Sequence, residues 1–284
     1  MTTSKLPPRE SANKQSFRID TVAPVWKTPD RYQLGNDDSE TSQVPIVKHP
    51  TSNPSRDEPE FDSYADNYDE ALQQGLDLTG ENKEYFAEHR VLWIKKQLDA
   101  LQAKVDSILD FGCGTGGSIG YLRATFSPSS IEGTDVSEDS LKQANTSHGS
   151  DSCQFHLLSE YQPGGDIDLA FCNGVFHHIP LAERQSCSDT VYQAVRPGGY
   201  FCFWENNPWN PGTRWVMKRV PFDRDAIMLW PGESRRLLRQ SGFEIVGTQY
   251  CFFFPSFLKV FRPLEPYLSW IPFGGQYLVI ARKP

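Results

Sequence analysis

The sequence has no Cys-x-x-Cys pair. Its six cysteines, Cys113, Cys153, Cys172, Cys187, Cys202 and Cys251, are scattered along the chain. That spacing argues against a zinc ribbon or a thioredoxin-like redox centre, and no metal cofactor is expected. Cys172 and Cys202 fall inside apolar, strand-like runs. Reduced thiols acting as small core residues are expected, in keeping with a cytoplasmic location. Long apolar runs are also missing: nothing approaches the ~18 uninterrupted residues of a membrane-crossing helix. The first residues, MTTSKLPPRESANKQ, lack the apolar segment of a signal peptide. Nor is there a basic stripe. Asp and Glu number 36 against 28 Lys and Arg, giving a net charge of −8. A nucleic-acid partner is not expected, because phosphate neutralisation supplies most of that affinity. A nucleotide-sized ligand remains open. No internal repeat is present.

What is there fits one domain of roughly 200 residues plus extra segments. The chain has 284 residues, 38% hydrophobic and 13% aromatic. Residues 1 to about 60 are rich in Pro, Ser, Asn, Asp and Lys and show no sustained period. Such a segment buries too little surface to offset its ordering entropy, so disorder is expected. The exception is the patch from Phe17 to Trp26, which either docks on the core or a partner or is simply an apolar piece of tail.

From Phe61 to the C-terminus the pattern changes. FDSYADNYDEALQQGL and ENKEYFAEHRVLWIKKQLDALQAKV carry apolar residues at helical spacing and predict two N-terminal helices. In the second, Tyr85, Phe86, Val91, Leu92, Ile94, Leu98 and Leu101 make the apolar face. Strand and helix patterns then alternate: DSILDFG, GGSIGYLRATF, SSIEGTDV, SEDSLKQANTSHG, CQFHLL, DIDLAFCNGVF, LAERQSCSDTVYQAV, YFCFWEN and PGESRRLLRQSGF. Ser137 is the expected cap of the helix SEDSLKQANTSHG. Alternation of this kind predicts a doubly wound, mostly parallel α/β sheet. The last two strands, FEIVGTQYCFFF and GGQYLVIARKP, have no helical pattern between them. They predict a seven-stranded sheet with an antiparallel C-terminal strand.

The most informative stretch is Asp110-Phe111-Gly112-Cys113-Gly114-Thr115-Gly116-Gly117. It follows the first strand and opens a helix, where glycines let the backbone approach a ligand. Gly112, Gly114 and Gly117 also satisfy G-x-G-x-x-G, the dinucleotide fingerprint. Asp110 argues against that reading. A carboxylate entering the loop repels a pyrophosphate but suits a ligand with an ammonium group. The second strand ends in Glu132-Gly133-Thr134-Asp135, with Asp135 placed to accept from two ribose hydroxyls. That element predicts a ribose without separating the two ligand classes.

Taken in order, DFGCGTG, GTDVSEDSL, DLAFCNGVFHHIP and RPGGYFCFWE resemble the motifs of class I S-adenosylmethionine-dependent methyltransferases of the small-molecule type. The resemblance covers residues 61 to 284. It implies a seven-stranded Rossmann-like domain, with S-adenosylmethionine (SAM) as cofactor and S-adenosylhomocysteine (SAH) as product. It implies that Asp110, Gly112, Cys113 and Gly114 line the methionine part and that Asp135 and Val136 adjoin the ribose. Ser159 and Glu160 would lie near the adenine, and Asn173 and Gly174 beside the sulfonium. Tyr64 and Tyr68 would close over the site, and Arg90 would pair with the methionine carboxylate.

The acceptor side is less legible. His177 and His178 stand where open α/β sheets place ligands and are the candidate bases, needed only if the acceptor must lose a proton. Trp204, Glu205, Asn206 and Trp209, after the fifth strand, are the candidate substrate contacts. Residues 207–232, with Arg214, Lys218, Arg219, Arg224 and Asp225, and the aromatic segment 255–272 are expected to form substrate-side lids. The second segment could also be a flap covering the core, a dimer surface or a membrane-surface patch. The expected protein is a monomer or homodimer methylating a small-molecule acceptor. The alternatives are a SAM-binding protein without methyl transfer and an NAD-dependent oxidoreductase.

Overall fold

A computed structural model describes residues 80–220, 223 and 226–284. The chain divides into two compact units, Met1–Ser52 and Asn53–Pro284, and the described residues belong to the second. Both Tyr64 and Tyr68, the expected helix around them and the Phe17–Trp26 patch lie outside the described residues.

The first described helix is α1 (Lys83–Ala100). Asn82 caps it, its Oδ1 accepting from the Tyr85 N–H at 2.9 Å. Val91, Ile94 and Leu98 are buried, whereas Leu92 and Leu101 of the expected apolar face are exposed. One residue step rotates a helix by about 100°, so neighbours such as Val91 and Leu92 cannot both face the sheet.

Then come β1 (Ser107–Phe111), α2 (Ile119–Phe126), β2 (Ser130–Asp135), α3 (Glu138–His148), β3 (Cys153–Leu157) and β4 (Ile167–Asn173). They are followed by α4 (Arg184–Ala194), β5 (Val195–Asn206), α5 (Pro211–Met217), α6 (Pro231–Ser241) and β6 (Glu244–Cys251). A 3₁₀ stretch (Ser256–Leu264), the short α7 (Glu265–Leu268) and β7 (Gln276–Arg282) close the chain. Helix α3 starts where expected. The Ser137 Oγ accepts from Ser140 N–H at 3.1 Å, and Glu138 and Asp139 in its first turn complement the helix dipole. The expected strand YFCFWEN begins earlier, because β5 takes in the turn residues Arg196 to Gly199.

The sheet has seven strands in the order β3-β2-β1-β4-β5-β7-β6. Only β7 runs against the others, pairing antiparallel with β5 and β6. The last strand thus slots between its two neighbours and does not sit at the edge. Strand β4 is buried at six of seven positions, as a parallel strand covered on both faces must be. One face carries Leu109, Phe176, Phe201, Phe203 and Val279. The other carries Val91, Ile108, Ile119, Leu169 and Trp204. Asp168 ties the amino ends of the strands together. Its Oδ2 accepts from Asp106 and Ser107 N–H, and its Oδ1 from Arg196 Nε. This arrangement leaves Phe111, Asp135, Asn173 and Asn206 together at the carboxyl end of the sheet.

Candidate active site

The turn after β1 is clipped onto the tip of β2. Gly112 and Cys113 N–H both donate to the Thr134 carbonyl, at 2.8 and 2.9 Å. Gly114 N–H donates to Asp135 Oδ2 at 2.8 Å, and Ser137 N–H to Asp135 Oδ1 at 3.0 Å. Gly112 has φ +73°, and a Cβ there would lie 2.3 Å from Val175 Cγ2. Gly114 has φ +52°, yet among the described residues a Cβ there would meet nothing within 4 Å beyond its chain neighbours. The first glycine is required by packing. The second faces open space.

That space is a cavity of about 500 Å³. Its lining includes Asp110, Gly112, Cys113, Gly114, Asp135 and Val136, with Arg90, Asn173, Gly174 and His178. The sequence-expected cofactor residues of β1, β2 and β4 are therefore brought together. Ser159 and Glu160 are not: both are exposed in the turn after β3, and Leu158 lines the cavity in their place.

Two polar atoms in this cavity have no hydrogen-bond partner among the described residues, Asp110 Oδ2 and Asn173 Oδ1. Burial, helped by the nearby Asp135 carboxylate, pushes the Asp110 pKa up to about 7. Two acceptors held out of water call for donors from a ligand. A ligand with an ammonium group and a vicinal diol fits this lining.

A second cavity of about 420 Å³ adjoins it. Tyr85, Phe86, Trp215, Phe252, Phe253 and Phe254 form its aromatic part. Lys83, Arg90, Asn173, Gly174 and His178 line both cavities. Arg90 Nε donates to Gln276 Oε1 at 2.8 Å, and Gln276 Nε2 donates to Asn206 Oδ1 at 3.0 Å. This polar chain crosses from α1 to β5. The two lids expected from sequence both contribute, with Thr213, Trp215 and Val220 from one and Pro255 and Arg262 from the other.

The four expected acceptor contacts separate. Asn206 lines the second cavity. Trp204 is fully buried in the core beneath it, and Trp209 is exposed beside Trp230. Glu205 is fully buried on the opposite face of β5 from Trp204, with Oε1 accepting from Phe176 N–H at 2.9 Å and Oε2 lying 2.6 Å from His177 Nδ1. It is a partner of His177 within the protein.

Sequence reasoning missed Asp223. Its Oδ1 lies 3.1 Å from His178 Nε2 and 3.5 Å from His177 Nε2. Burial alone would lower the His177 pKa, but the Glu205 and Asp223 carboxylates outweigh it and lift the value to about 10. Asp223 is only partly exposed, and its contacts with the two imidazoles hold its pKa below the usual carboxylate range against the opposing effect of desolvation. The signal was an acid in the insert that follows the His pair, but the insert was read for its basic residues.

Residues 109–201, about a third of the chain, match the model of a methyltransferase domain family. The chain is 29% identical over 118 residues to a fatty-acid O-methyltransferase of Mycolicibacterium smegmatis, covering 38% of this chain and 41% of that one. It is 31% identical over 103 residues to malonyl-[acyl-carrier protein] O-methyltransferase 2 of Ilyobacter polytropus, covering 35% and 39%. The matches thus span about two fifths of these relatives' length. The fold is shared with the methyltransferase bound to the Haloferax volcanii Trm112 activator, at TM-score 0.55 and 16% identity over 79% of this chain and 98% of that one. The family-model match identifies a methyltransferase domain over residues 109–201, and the seven-stranded sheet and motif order give it the class I S-adenosylmethionine-dependent methyltransferase fold, with SAM as cofactor.

Proposed function

We propose that this chain transfers a methyl group from SAM to an oxygen of a small apolar acceptor. The observation that carries the reading is the junction of the two cavities at Asn173, Gly174 and His178. One cavity has the polar, glycine-lined wall suited to the cofactor. The other has the aromatic wall suited to an apolar acceptor.

In this reading Asp135 accepts from the ribose hydroxyls, and Asp110 and Asn173 supply acceptors for the methionine end. Val136 and Leu158 offer apolar surface for the adenine. Arg90 and Lys83, at the boundary, provide positive charge for a carboxylate. When bound, SAM supplies an electrophilic methyl on a sulfonium. The chain's part is to align an acceptor oxygen with it and to exclude water, which the aromatic wall and the two lid segments do. Two relatives whose names specify O-methylation, of a fatty acid and of a malonyl-acyl carrier, support an oxygen acceptor.

The test is SAH formation across a panel of acceptors: long-chain carboxylic acids, phenols, amines and hydrophilic acids of matched charge. Turnover with the apolar oxygen acceptors alone is the expected result. Turnover confined to amines or to hydrophilic acids would refute the acceptor class.

A further inference from the structure

We infer that His177, His178 and Asp223 form a site for one divalent transition-metal ion at the floor of the acceptor cavity. Among the described residues these three offer donor atoms that all lie within 4.8 Å of one another. All three line the aromatic cavity. Two imidazoles and a carboxylate are the donor set that borderline ions such as Zn²⁺, Fe²⁺ and Co²⁺ prefer.

The distances fit donors gathered around one shared ion. A charge-assisted N–H···O bond closes to about 2.7–2.9 Å. Asp223 Oδ1 stands 3.5 Å from His177 Nε2 and 3.1 Å from His178 Nε2. Donors bound at about 2.0–2.1 Å around one tetrahedral ion are separated by roughly 3.3 Å. One carboxylate oxygen facing two imidazole nitrogens at such spacings describes two edges of a coordination shell.

Glu205 gives a second, independent indication. It is fully buried, and its Oε2 lies 2.6 Å from the other ring nitrogen of His177. A carboxylate behind a ligating imidazole fixes the ring's tautomer and orientation and raises its basicity. The scaffold is rigid on that side, since Glu205 is set in β5 and also accepts from Phe176 N–H. The third ligand comes from the insert after β5, so the ion would join that insert to the sheet.

Three protein ligands leave at least one position open, and the cavity is on that side. The ligand the open position would take is an acceptor oxygen, a carboxylate or a phenolate. His178 also lines the cofactor cavity, so such an oxygen would be held near the cavity junction. This last step rests on the proposed methyl transfer, whereas metal binding itself does not.

The experiment uses the full chain, stripped with a chelator. Calorimetry with Zn²⁺ reads stoichiometry and affinity, and the visible spectrum of the Co²⁺ form reads ligand type. One equivalent is expected, with d–d bands and no sulfur-to-metal charge transfer. Binding should weaken at least tenfold in both Asp223→Asn and His178→Gln, with their thermal unfolding recorded to show that they are folded. The inference is overturned by no binding to the wild type, by a thiolate charge-transfer band, or by unchanged affinity in folded variants. SAH binding, measured in the same samples, separates failure here from failure of the methyltransferase reading.

Discussion

Gly114 N–H donates to Asp135 Oδ2 at 2.8 Å, so the glycine turn after β1 and the acidic tip of β2 are one unit. Asp135 does two jobs with four lone-pair directions. It holds Gly114 and Ser137 N–H, and in the proposed reading it also accepts from the ribose of SAM. Asp135→Ala removes all of these acceptors. Hydrogen bonds to a charged group contribute about 1.5–3 kcal/mol, which corresponds to roughly 10- to 150-fold in affinity. Calorimetric titration with SAH should show that loss, and an unchanged Kd would refute the ribose assignment.

Asp110 makes stability depend on pH in the unusual direction. Its pKa is about 7 in the fold against 3.8 for a free carboxyl, because burial and Asp135 disfavour the charge. Below about pH 4 both folded and unfolded chains hold the proton, and the group contributes nothing. Between about pH 4 and 7 the unfolded chain releases it first, so stability falls as pH rises. The loss is complete above about pH 7 and amounts to at most about 4 kcal/mol. Asp110→Asn should therefore unfold later than the wild type at pH 8 and together with it at pH 4. The same substitution should weaken SAH binding, since an amide cannot match the ligand's ammonium. Equal melting temperatures at both pH values would count against a buried, uncompensated carboxyl.

The backbone plan was readable because periodicity and glycine chemistry are local. DSILDFG can only be a short buried strand entering a tight turn, and Gly112 and Gly114 do take positive φ there. Side-chain direction at strand ends was not readable. Strands alternate faces residue by residue, so Trp204, Glu205 and Asn206 cannot all face one cavity. The sequence carries no mark of which face is which. Pairing with β7 decides it, setting Glu205 opposite Tyr277 and Asn206 opposite Gln276. Asp223 was invisible for another reason. Its partners lie 46 and 45 residues away in the chain, and no local pattern links them.

Gly112 and Gly114 should respond differently to alanine. At Gly112 the new methyl would sit 2.3 Å from Val175 Cγ2 on a backbone with φ +73°. Gly112→Ala should lower thermal stability markedly, as overpacking and left-handed strain add to several kcal/mol, about 2–5 in total. At Gly114 the methyl meets no atom of the described residues within 4 Å beyond its chain neighbours. Gly114→Ala should cost only the strain, about 1–2 kcal/mol, while SAH affinity falls because the methyl enters the ligand's space. A Gly114 variant that binds SAH normally would mean that the ligand does not reach this wall.

Trp215 tests the division between the two cavities. It lines only the aromatic one, and the Arg219 guanidinium lies 3.5 Å above its ring centroid. It is partly exposed and belongs to α5 in the insert, so the core does not depend on it. Trp215→Ala removes apolar wall on the order of 1–2 kcal/mol of acceptor contact. The expected outcome is a rise of roughly 5- to 30-fold in acceptor KM with an unchanged Kd for SAH, since that contact is made equally with acceptor and transition state. If the SAH affinity falls instead, the cofactor extends into the aromatic cavity and the acceptor must enter elsewhere. A change in kcat without a change in KM would place Trp215 against the reacting atoms, and the wall would have to be assigned to Phe252 and Phe253 alone.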